Sequence, residues 1–266
     1  MSDPTLAPTA APPGWMTFEF PGNERIRSFM RIENIFQRCQ RSTEESSIHS
    51  HLAALWSLFE LYDLVSGRGD VKSELMQEID RQRGRLSSYA GRPGVSVDAL
   101  ETLMEKFQRA FEALSSTQTR LGPHIEQYEW LQQVKGRYGI PGGICEFDIP
   151  LLHVWLHRSV ETRQQMLAKW ISALSPIHDG VALVLKLLRE GTQPQAYVAT
   201  RGYFELSKDG RQSQIIRVSV PKQPEVVAEI SANKYVIAVR FRQPDAHMHL
   251  KTIEQDIPFQ LTQCNF

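Results

Sequence analysis

This 266-residue chain contains two histidines one helical turn apart, His153 and His157. Of all the residue spacings in the sequence, theirs is most like that of a metal-binding or catalytic site. An i, i+4 spacing places both rings on one face of a helix, as pairs of metal-binding histidines require. Cys145 and Asp148 precede them closely and could supply further ligands. A metal-dependent enzyme centred on these four side chains is therefore one hypothesis.

Several features of the same segment disfavour metal or thiol chemistry. No Glu follows the first His, as it would in a metallopeptidase motif, and Asp148 is placed to cap a helix that begins at Pro150. A catalytic thiolate needs an oriented base, whereas the neighbours of Cys145, Ile144 and Phe147, favour a buried thiol. We therefore predict no metal, no cofactor and no catalytic residue, so that the chain is not an enzyme.

A helix predicted over Asn23–Arg41 carries arginines on one side and apolar residues on much of the rest. At about 100° per residue, the three arginines fall within about 40° of one another. They are Arg27, Arg31 and Arg38. Guanidinium groups suit the carboxylates or phosphates of a partner. The alternative is a solvated face whose arginines pair internally with Glu24 or Glu33.

Two further basic features have similar alternatives. The turn Gly67–Asp70 holds Arg68 at a helix junction, although it is equally well interpreted as a plain connector. Lys234, Arg240 and Arg242 share parity on a predicted strand, so they point to one face. That face is either a second basic group or an ordinary solvated surface.

Composition limits the class of protein. Hydrophobic residues make up 41% and charged residues 23%, as is usual for a soluble globular protein. Lys and Arg total 30, as do Asp and Glu, and this zero net charge disfavours nucleic-acid binding by the whole domain. The three cysteines lack metal-type spacing and indicate a reducing cytoplasm. No apolar run approaches the roughly 18 residues of a membrane span, so we expect no membrane insertion.

The periodicity predicts an α+β fold. We expect a disordered Pro-rich tail over residues 1–15, a helical domain over 16–192 and an antiparallel β domain over 193–266. Residues 16–20 alternate and are a candidate strand of the β domain. The predicted strands are Ala196–Leu206, Ser213–Val220, Val226–Ser231, Lys234–Phe241 and Thr252–Thr262.

Helix starts are predicted from capping residues. Asn23, Asp70 and Ser96 each precede an apolar-periodic run and have side chains that accept hydrogen bonds from a first helical turn. Ser42 and Glu45 have the spacing of a capping box before the next helix.

Several segments together resemble one known family. They are Asn23–Arg27, Arg31–Glu33, Arg68–Val71, the long Ile140–His157 segment, Trp170–Ile171, Lys234 and Ala238–Phe241. The middle segment, which reads IPGGICEFDIPLLHVWLH, is the most distinctive, and we call it the signature segment. From about Phe18 onward nearly the whole chain is similar to ZapD, the Z-ring-associated bacterial division protein family.

The resemblance implies a cytoplasmic, non-enzymatic cell division factor at the mid-cell ring. Proteins of this family act as dimers with a helical and a β domain, and bind the C-terminal tail of the tubulin-like protein FtsZ. They cross-link FtsZ protofilaments into bundles and so stabilise the Z-ring during septation. The resemblance further implies that the tail docks in a basic pocket between the two domains.

The residues carried over by position form the expected tail-binding set. They are Arg27, Arg31, Arg68, His153, Lys234 and Arg240. This chain departs from the family near Val236 and Glu129, where the family tends to have basic residues. The Pro-rich segment before Trp15 is an addition.

Overall fold

A computed structural model describes residues 14–66, 70–117, 125 and 127–265. Arg68, Gly67 and nearly all of the predicted N-terminal tail lie outside these residues. Within them, eight α-helices and eight β-strands form an α+β fold, as predicted. The helices are α1 (Glu24–Glu44), α2 (Ile48–Ser66), α3 (Val71–Ser87), α4 (Val97–Ser116), α5 (Glu129–Arg137), α6 (Pro150–Leu156), α7 (Val160–Ser172) and α8 (Ser175–Glu190). The strands are β1 (Trp15–Pro21), β2 (Gln195–Ala199), β3 (Tyr203–Ser207), β4 (Ile215–Pro221), β5 (Val227–Ala232), β6 (Val236–Pro244), β7 (Leu250–Thr252) and β8 (Ile257–Cys264).

Three predicted helix caps are confirmed. Side-chain oxygens of Asn23, Asp70 and Ser96 accept backbone N–H groups three residues on, at 2.9, 3.0 and 3.3 Å. Each bond satisfies an N–H group that the first helical turn leaves without an intrahelical partner.

The predicted capping box at Ser42 and Glu45 is wrong. Helix α1 continues through both Ser42 and Thr43, and the Thr43 hydroxyl donates to the Cys39 carbonyl at 2.8 Å within the helix. Ser47 lies at the start of α2 instead, where its Oγ accepts from the backbone N–H of His49 at 3.1 Å. Ser42, which sequence spacing alone favours as a boundary, is therefore inside the helix, and the next helix starts after Ser47.

The chain divides into two compact units. Of the described residues, the β unit comprises those up to Arg27 together with those from Leu185 onward, and the helical unit comprises those within Ser28–Val184. Each unit is built around its own set of buried side chains.

Helix α2 is central to the core of the helical unit, as its apolar sequence predicts. Leu55, Leu58, Phe59 and Leu61 are fully buried on it. A second centre is aromatic, where ring centroids of three tryptophans lie 5.8–6.0 Å apart and join α5, α6 and α7. These are Trp130, Trp155 and Trp170. Such rings combine large buried area with favourable tilted or edge contacts.

A buried arginine links the helices of this unit to their connections. Arg163 on α7 is 4% exposed, and its Nε donates to Nδ1 of His51 at 2.8 Å. Its Nη1 donates to the carbonyls of Leu156 and Arg158, and its Nη2 donates to the carbonyl of Ser46 at 3.0 Å. The guanidinium group thus fastens the α1–α2 connection and the end of α6 onto α7.

The same network fixes the state of His51, which is fully buried on α2. Since Nδ1 accepts from Arg163, the ring hydrogen sits on Nε2, which donates to the carbonyl of Glu45 at 2.8 Å. The imidazole is therefore neutral and joins two connections through its two nitrogens.

The β unit contains two antiparallel sheets. Sheet A has the order β1-β4-β8-β2, and sheet B has the order β3-β6-β5 with β7 also paired to β6. Strand β1 joins sheet A through β4, with Thr17 opposite Ser219, so the candidate N-terminal strand is confirmed. Both sheets contribute to one apolar core, which includes Val218, Val239 and Phe259.

The strand predicted over Ala196–Leu206 is wrong as a single element. The chain reverses at Arg201 and Gly202, so β2 ends in sheet A and β3 begins in sheet B. Backbone φ values of 50° and 70° at these two residues produce the reversal. An Asn-Gly pair predicts a two-residue turn strongly, whereas the pair Arg-Gly found here does not.

A half-buried carboxylate fastens β1 within the β unit. Glu19 accepts from Arg189 Nε and Nη2 at 2.9 and 2.8 Å, and lies 2.9 Å from Arg217 Nε. Arg189 belongs to the end of α8, and Arg217 lies opposite Glu19 on β4. The pairing therefore ties the first strand to both the last helix and the sheet.

None of the described helices alone is long and apolar enough to cross a bilayer, and α7 with α8 meets that condition only as a pair bent by 68°.

Replacing Arg163 with Met should lower the stability of the helical unit by about 2–5 kcal/mol. The apolar side chain fills similar space but leaves His51 and buried carbonyls without their donor. Thermal and denaturant unfolding followed by circular dichroism would measure the loss. Arg158→Met, at an exposed position nearby, is the control and should change stability little. A loss below about 1 kcal/mol for Arg163→Met would contradict this assignment.

The three cysteines should differ in reactivity. Burial raises the pKa of Cys39 and of Cys264 to about 12, whereas Cys145 is exposed. The two buried thiols therefore stay protonated and shielded at pH 8. The free energy of unfolding that this protonation contributes is fully present below the ordinary thiol pKa of 9.0 and is lost as pH rises from there toward 12. Ellman's reagent should titrate one thiol rapidly in the native protein and three after denaturation. Rapid reaction of two or more native thiols would show that the packing is wrong.

Candidate functional site

The signature segment follows a tightly specified backbone path. Its first part is a series of turns, in which Gly143 N–H donates to the Ile140 carbonyl at 2.9 Å and Cys145 N–H to the Gly142 carbonyl at 3.2 Å. Gly142 has φ 69°, a left-handed conformation that favours glycine. A Cβ atom on Gly143 would lie 2.8 Å from both the Arg137 carbonyl oxygen and the Ile140 Cβ. The glycines are therefore steric requirements of the joint before α6.

The predicted cap at Asp148 is wrong. Ile149 occupies the N-cap position of α6, and that helix start has no side-chain cap. The Asp148 carboxylate instead accepts from Arg137 Nη1 at 2.7 Å, which closes the loop against the end of α5. A charged donor competes successfully for the carboxylate, because charge-assisted hydrogen bonds are stronger than neutral ones.

Burial in the signature segment differs from the prediction at Cys145. Its thiol was expected to be buried but is exposed, and the neighbouring Phe147 is 80% exposed. Trp155 is buried. Helix α6 buries Leu152 and Trp155, whereas Leu151, Val154 and the preceding Phe147 are exposed.

The two histidines of α6 contact each other and nearby groups. Their ring centroids lie 4.3 Å apart, and His153 Nδ1 is 3.2 Å from a carboxylate oxygen of Glu146. His157 Nδ1 lies 2.9 Å from the carbonyl oxygen of His153. Among the residues that the structure describes, no group of three His, Cys, Asp or Glu side chains could hold a metal ion. The metal-enzyme hypothesis therefore gains no support from this geometry.

The arginine stripe of α1 is divided between internal pairs and an exposed cation. Arg27 pairs with Glu24 at 3.0 Å, and Arg38 pairs with Glu60 and also donates to Ser57 at 2.9 Å. Arg31 is exposed and makes no ion pair within the described ranges. The solvated-face alternative thus accounts for Arg27 and Arg38, while Arg31 is available to a partner.

The basic residues of the β unit are not all on one strand. Lys234 precedes β6, so its predicted place on that strand is wrong. Asn233 forms a turn there because its Oδ1 accepts from Tyr235 N–H and Val236 N–H, at 2.7 and 3.0 Å. The ammonium group of Lys234 lies 4.9 Å from the centroid of the Tyr235 ring.

Arg240 and Arg242 do lie on β6 and share the face opposite its buried residues, as predicted. Arg242 pairs with Glu229 on β5 at 3.1 Å. Arg240 is exposed and lies opposite Tyr203 on β3 and Glu229 on β5. No ion pair to Arg240 occurs in the part of the chain that the structure describes.

Sequence reasoning missed a shallow cavity of about 270 Å³ in the β unit. Its lining includes Arg201, Tyr203, Arg240, Arg242 and Thr252. We call it the guanidinium cavity. Arg201 was missed because its segment was interpreted as a continuous strand; a turn prediction at Gly202 would have found it.

The two departures from the family pattern lie at element starts. Glu129 begins α5, and Val236 begins β6 on the same face as Arg240. Position 236 therefore adds no charge to the outer face of sheet B, where Arg240 and Arg242 supply the cations.

Comparison with known proteins places the chain in a family. A family model described as "ZapD: Cell division protein" matches residues 30–240. A Dechloromonas aromatica (strain RCB) protein described as "Cell division protein ZapD" is 40% identical over 251 residues, covering 94% of this chain and 99% of that protein. The resemblance recognised in the sequence is confirmed, and the prediction that the chain is not an enzyme agrees with it. The chain belongs to the ZapD family of cell division proteins.

Proposed function

We propose that this chain binds the C-terminal tail of FtsZ and cross-links FtsZ protofilaments, so that it stabilises the Z-ring at mid-cell in the cytoplasm. The observation that carries the proposal is a set of exposed cationic side chains without internal ion pairs, on a chain whose net charge is zero. Arg31, Lys234 and Arg240 are the described members of the expected tail-binding set with this property, and two of them carry guanidinium groups.

Carboxylates of an acidic, partly apolar tail pair with these guanidinium groups. Such pairs are charge-assisted and favour a planar, bidentate geometry that Lys does not provide. At an exposed surface each pair contributes little, about 0.2–1 kcal/mol, and is weakened by salt. The tail also loses conformational entropy when it is ordered, so binding at a single site is modest.

His153 and Lys234 are further described members of the expected tail-binding set. His153 is exposed, and its Nδ1 lies 3.2 Å from a carboxylate oxygen of Glu146. Lys234 is exposed beside Tyr235, where an aromatic ring and a cation can contact a mixed acidic and apolar peptide together. Arg68 remains a member of the proposed set, although it lies outside the described residues.

Bundling requires more than one binding site. We propose a homodimer with two-fold symmetry, which presents two equivalent tail sites. A filament displays many tails, so the second binding event takes place at high effective concentration. Bivalency then turns modest single-site affinity into stable cross-links between protofilaments.

Reversing the charge of both Arg27 and Arg31 to Glu should abolish co-sedimentation with FtsZ bundles. The change replaces two cations with two anions on the exposed side of α1, so an acidic tail is repelled. Circular dichroism should show an unchanged helical spectrum, because neither side chain belongs to the core. Wild-type levels of the double variant in the bundle pellet would contradict the site assignment.

A matched pair of single variants separates position from total charge. Arg31→Glu should weaken co-sedimentation strongly, whereas Arg41→Glu makes the same charge change at an exposed position later on α1. Equal losses for the two variants would indicate a general effect of charge and not a site at Arg31.

A further inference from the structure

The guanidinium cavity combines three arginines with a tyrosine on sheet B. It lies where β6 changes partner, since β3 pairs with β6 up to Arg240 and β7 pairs with it from Arg242 onward. Thr252, which lies opposite Arg242, also lines the cavity, and none of the lining residues is acidic. Polar donors therefore converge on a small open volume at a break in the strand pairing.

Two of the three guanidinium groups in the guanidinium cavity are available. Arg242 pairs with Glu229, and the Tyr203 hydroxyl donates to Glu205 at 2.6 Å. Arg201 and Arg240 form no ion pair with any residue in the described ranges. A ligand carrying one carboxylate can therefore accept from both of them while Arg242 keeps its partner.

The backbone at Arg201 supports a role for its side chain. Thr200 and Tyr203 bridge across a two-residue turn, in which Tyr203 N–H donates to the Thr200 carbonyl at 3.0 Å. With φ of 50° at Arg201 and 70° at Gly202, this is the turn for which Asn-Gly is the preferred pair. An arginine in the left-handed region is conformationally unfavourable, and such residues cluster at functional sites.

The position of Arg201 is otherwise well fixed. Its backbone N–H donates to Asp256 Oδ1 at 3.0 Å. A Cβ atom on Gly202 would lie 3.1 Å from the Phe241 carbonyl oxygen, so the turn is held tightly against β6. The side chain of Arg201 is thus presented beside the guanidinium cavity by a rigid backbone, which reduces the entropy lost when it binds a ligand.

We propose that the guanidinium cavity is a carboxylate-binding site that clamps an acidic side chain of the FtsZ tail between Arg201 and Arg240. This inference rests on the proposed function and adds Arg201, Tyr203 and Arg242 to the residues that contribute to tail binding. Arg201 and Arg240 bind the ligand directly, and Arg242, held by Glu229, contributes positive potential.

A carboxylate suits this cavity better than a phosphate group. Glu205 and Glu229 stay close to the lining through their bonds to Tyr203 and Arg242. Their charges repel a dianion more strongly than a monoanion. The two available guanidinium groups match the two oxygens of one carboxylate.

The decisive variant is Arg201→Asn, because it separates binding from folding. Asn is favoured at this turn position, so the melting temperature should stay the same or rise. Affinity for a fluorescent FtsZ tail peptide, measured by polarisation with the full chain at low salt, should fall about tenfold. Arg240→Gln should lower affinity by a similar factor without changing the melting temperature. Arg211→Asn, at an exposed arginine elsewhere in the β unit, is the control and should bind as the wild type does.

Outcomes for the function and for the cavity are distinguishable. If the wild-type chain does not bind the tail peptide, the proposed function fails. If the wild type binds and Arg31→Glu does not, while Arg201→Asn and Arg240→Gln bind normally, the cavity assignment is overturned and the function stands. If Arg201→Asn lowers the melting temperature, the result for Arg240→Gln decides. A tail peptide in which the clamped Asp or Glu is changed to its amide should bind the wild-type chain about tenfold more weakly. The same peptide should bind Arg201→Asn no more weakly than the unchanged peptide does.

Discussion

A buried guanidinium group has to find a hydrogen-bond acceptor for its N–H groups, and this requirement organises the helical unit around Arg163. Among the described residues the side chain has no carboxylate partner; it is satisfied by His51 and by backbone carbonyls at the ends of neighbouring segments. Those carbonyls belong to helix ends and connections, which lack intrahelical donors. One side chain on α7 thereby fixes the entry to α2 and the exit from α6. The orientation of α6, and with it the exposed histidines and apolar residues, follows from that contact.

The β unit meets the same requirement with a carboxylate. Glu19 binds Arg189 and lies against Arg217, so one buried and one half-buried cation are balanced by an acid on the first strand. Arginines of both units therefore divide into those that the fold uses internally and those left at the surface. Arg31, Arg201 and Arg240 belong to the second kind within the described residues. A net charge of zero conceals this division, because internal pairs cancel most of the charge and leave a few local cations for a partner.

Local signals in the sequence were sufficient for much of the fold. The caps at Asn23 and Asp70 depend only on residues within one turn, and the change from helical to strand periodicity gave the α+β class. Errors arose where distant residues compete for a group. Asp148 appeared to be a cap, but Arg137 binds its carboxylate. The strand break at Arg201 depends on two left-handed residues, whose identities favour that conformation only at Gly202.

The central claim is that unpaired surface arginines of this chain bind carboxylates of the FtsZ tail. An experimental structure of the full chain with the tail peptide bound tests it most directly. The account predicts carboxylate oxygens of the tail within about 2.7–3.2 Å of the guanidinium groups of Arg31, Arg201 or Arg240. A tail bound elsewhere, with its acidic side chains in solvent and these arginines without contacts, would contradict the account.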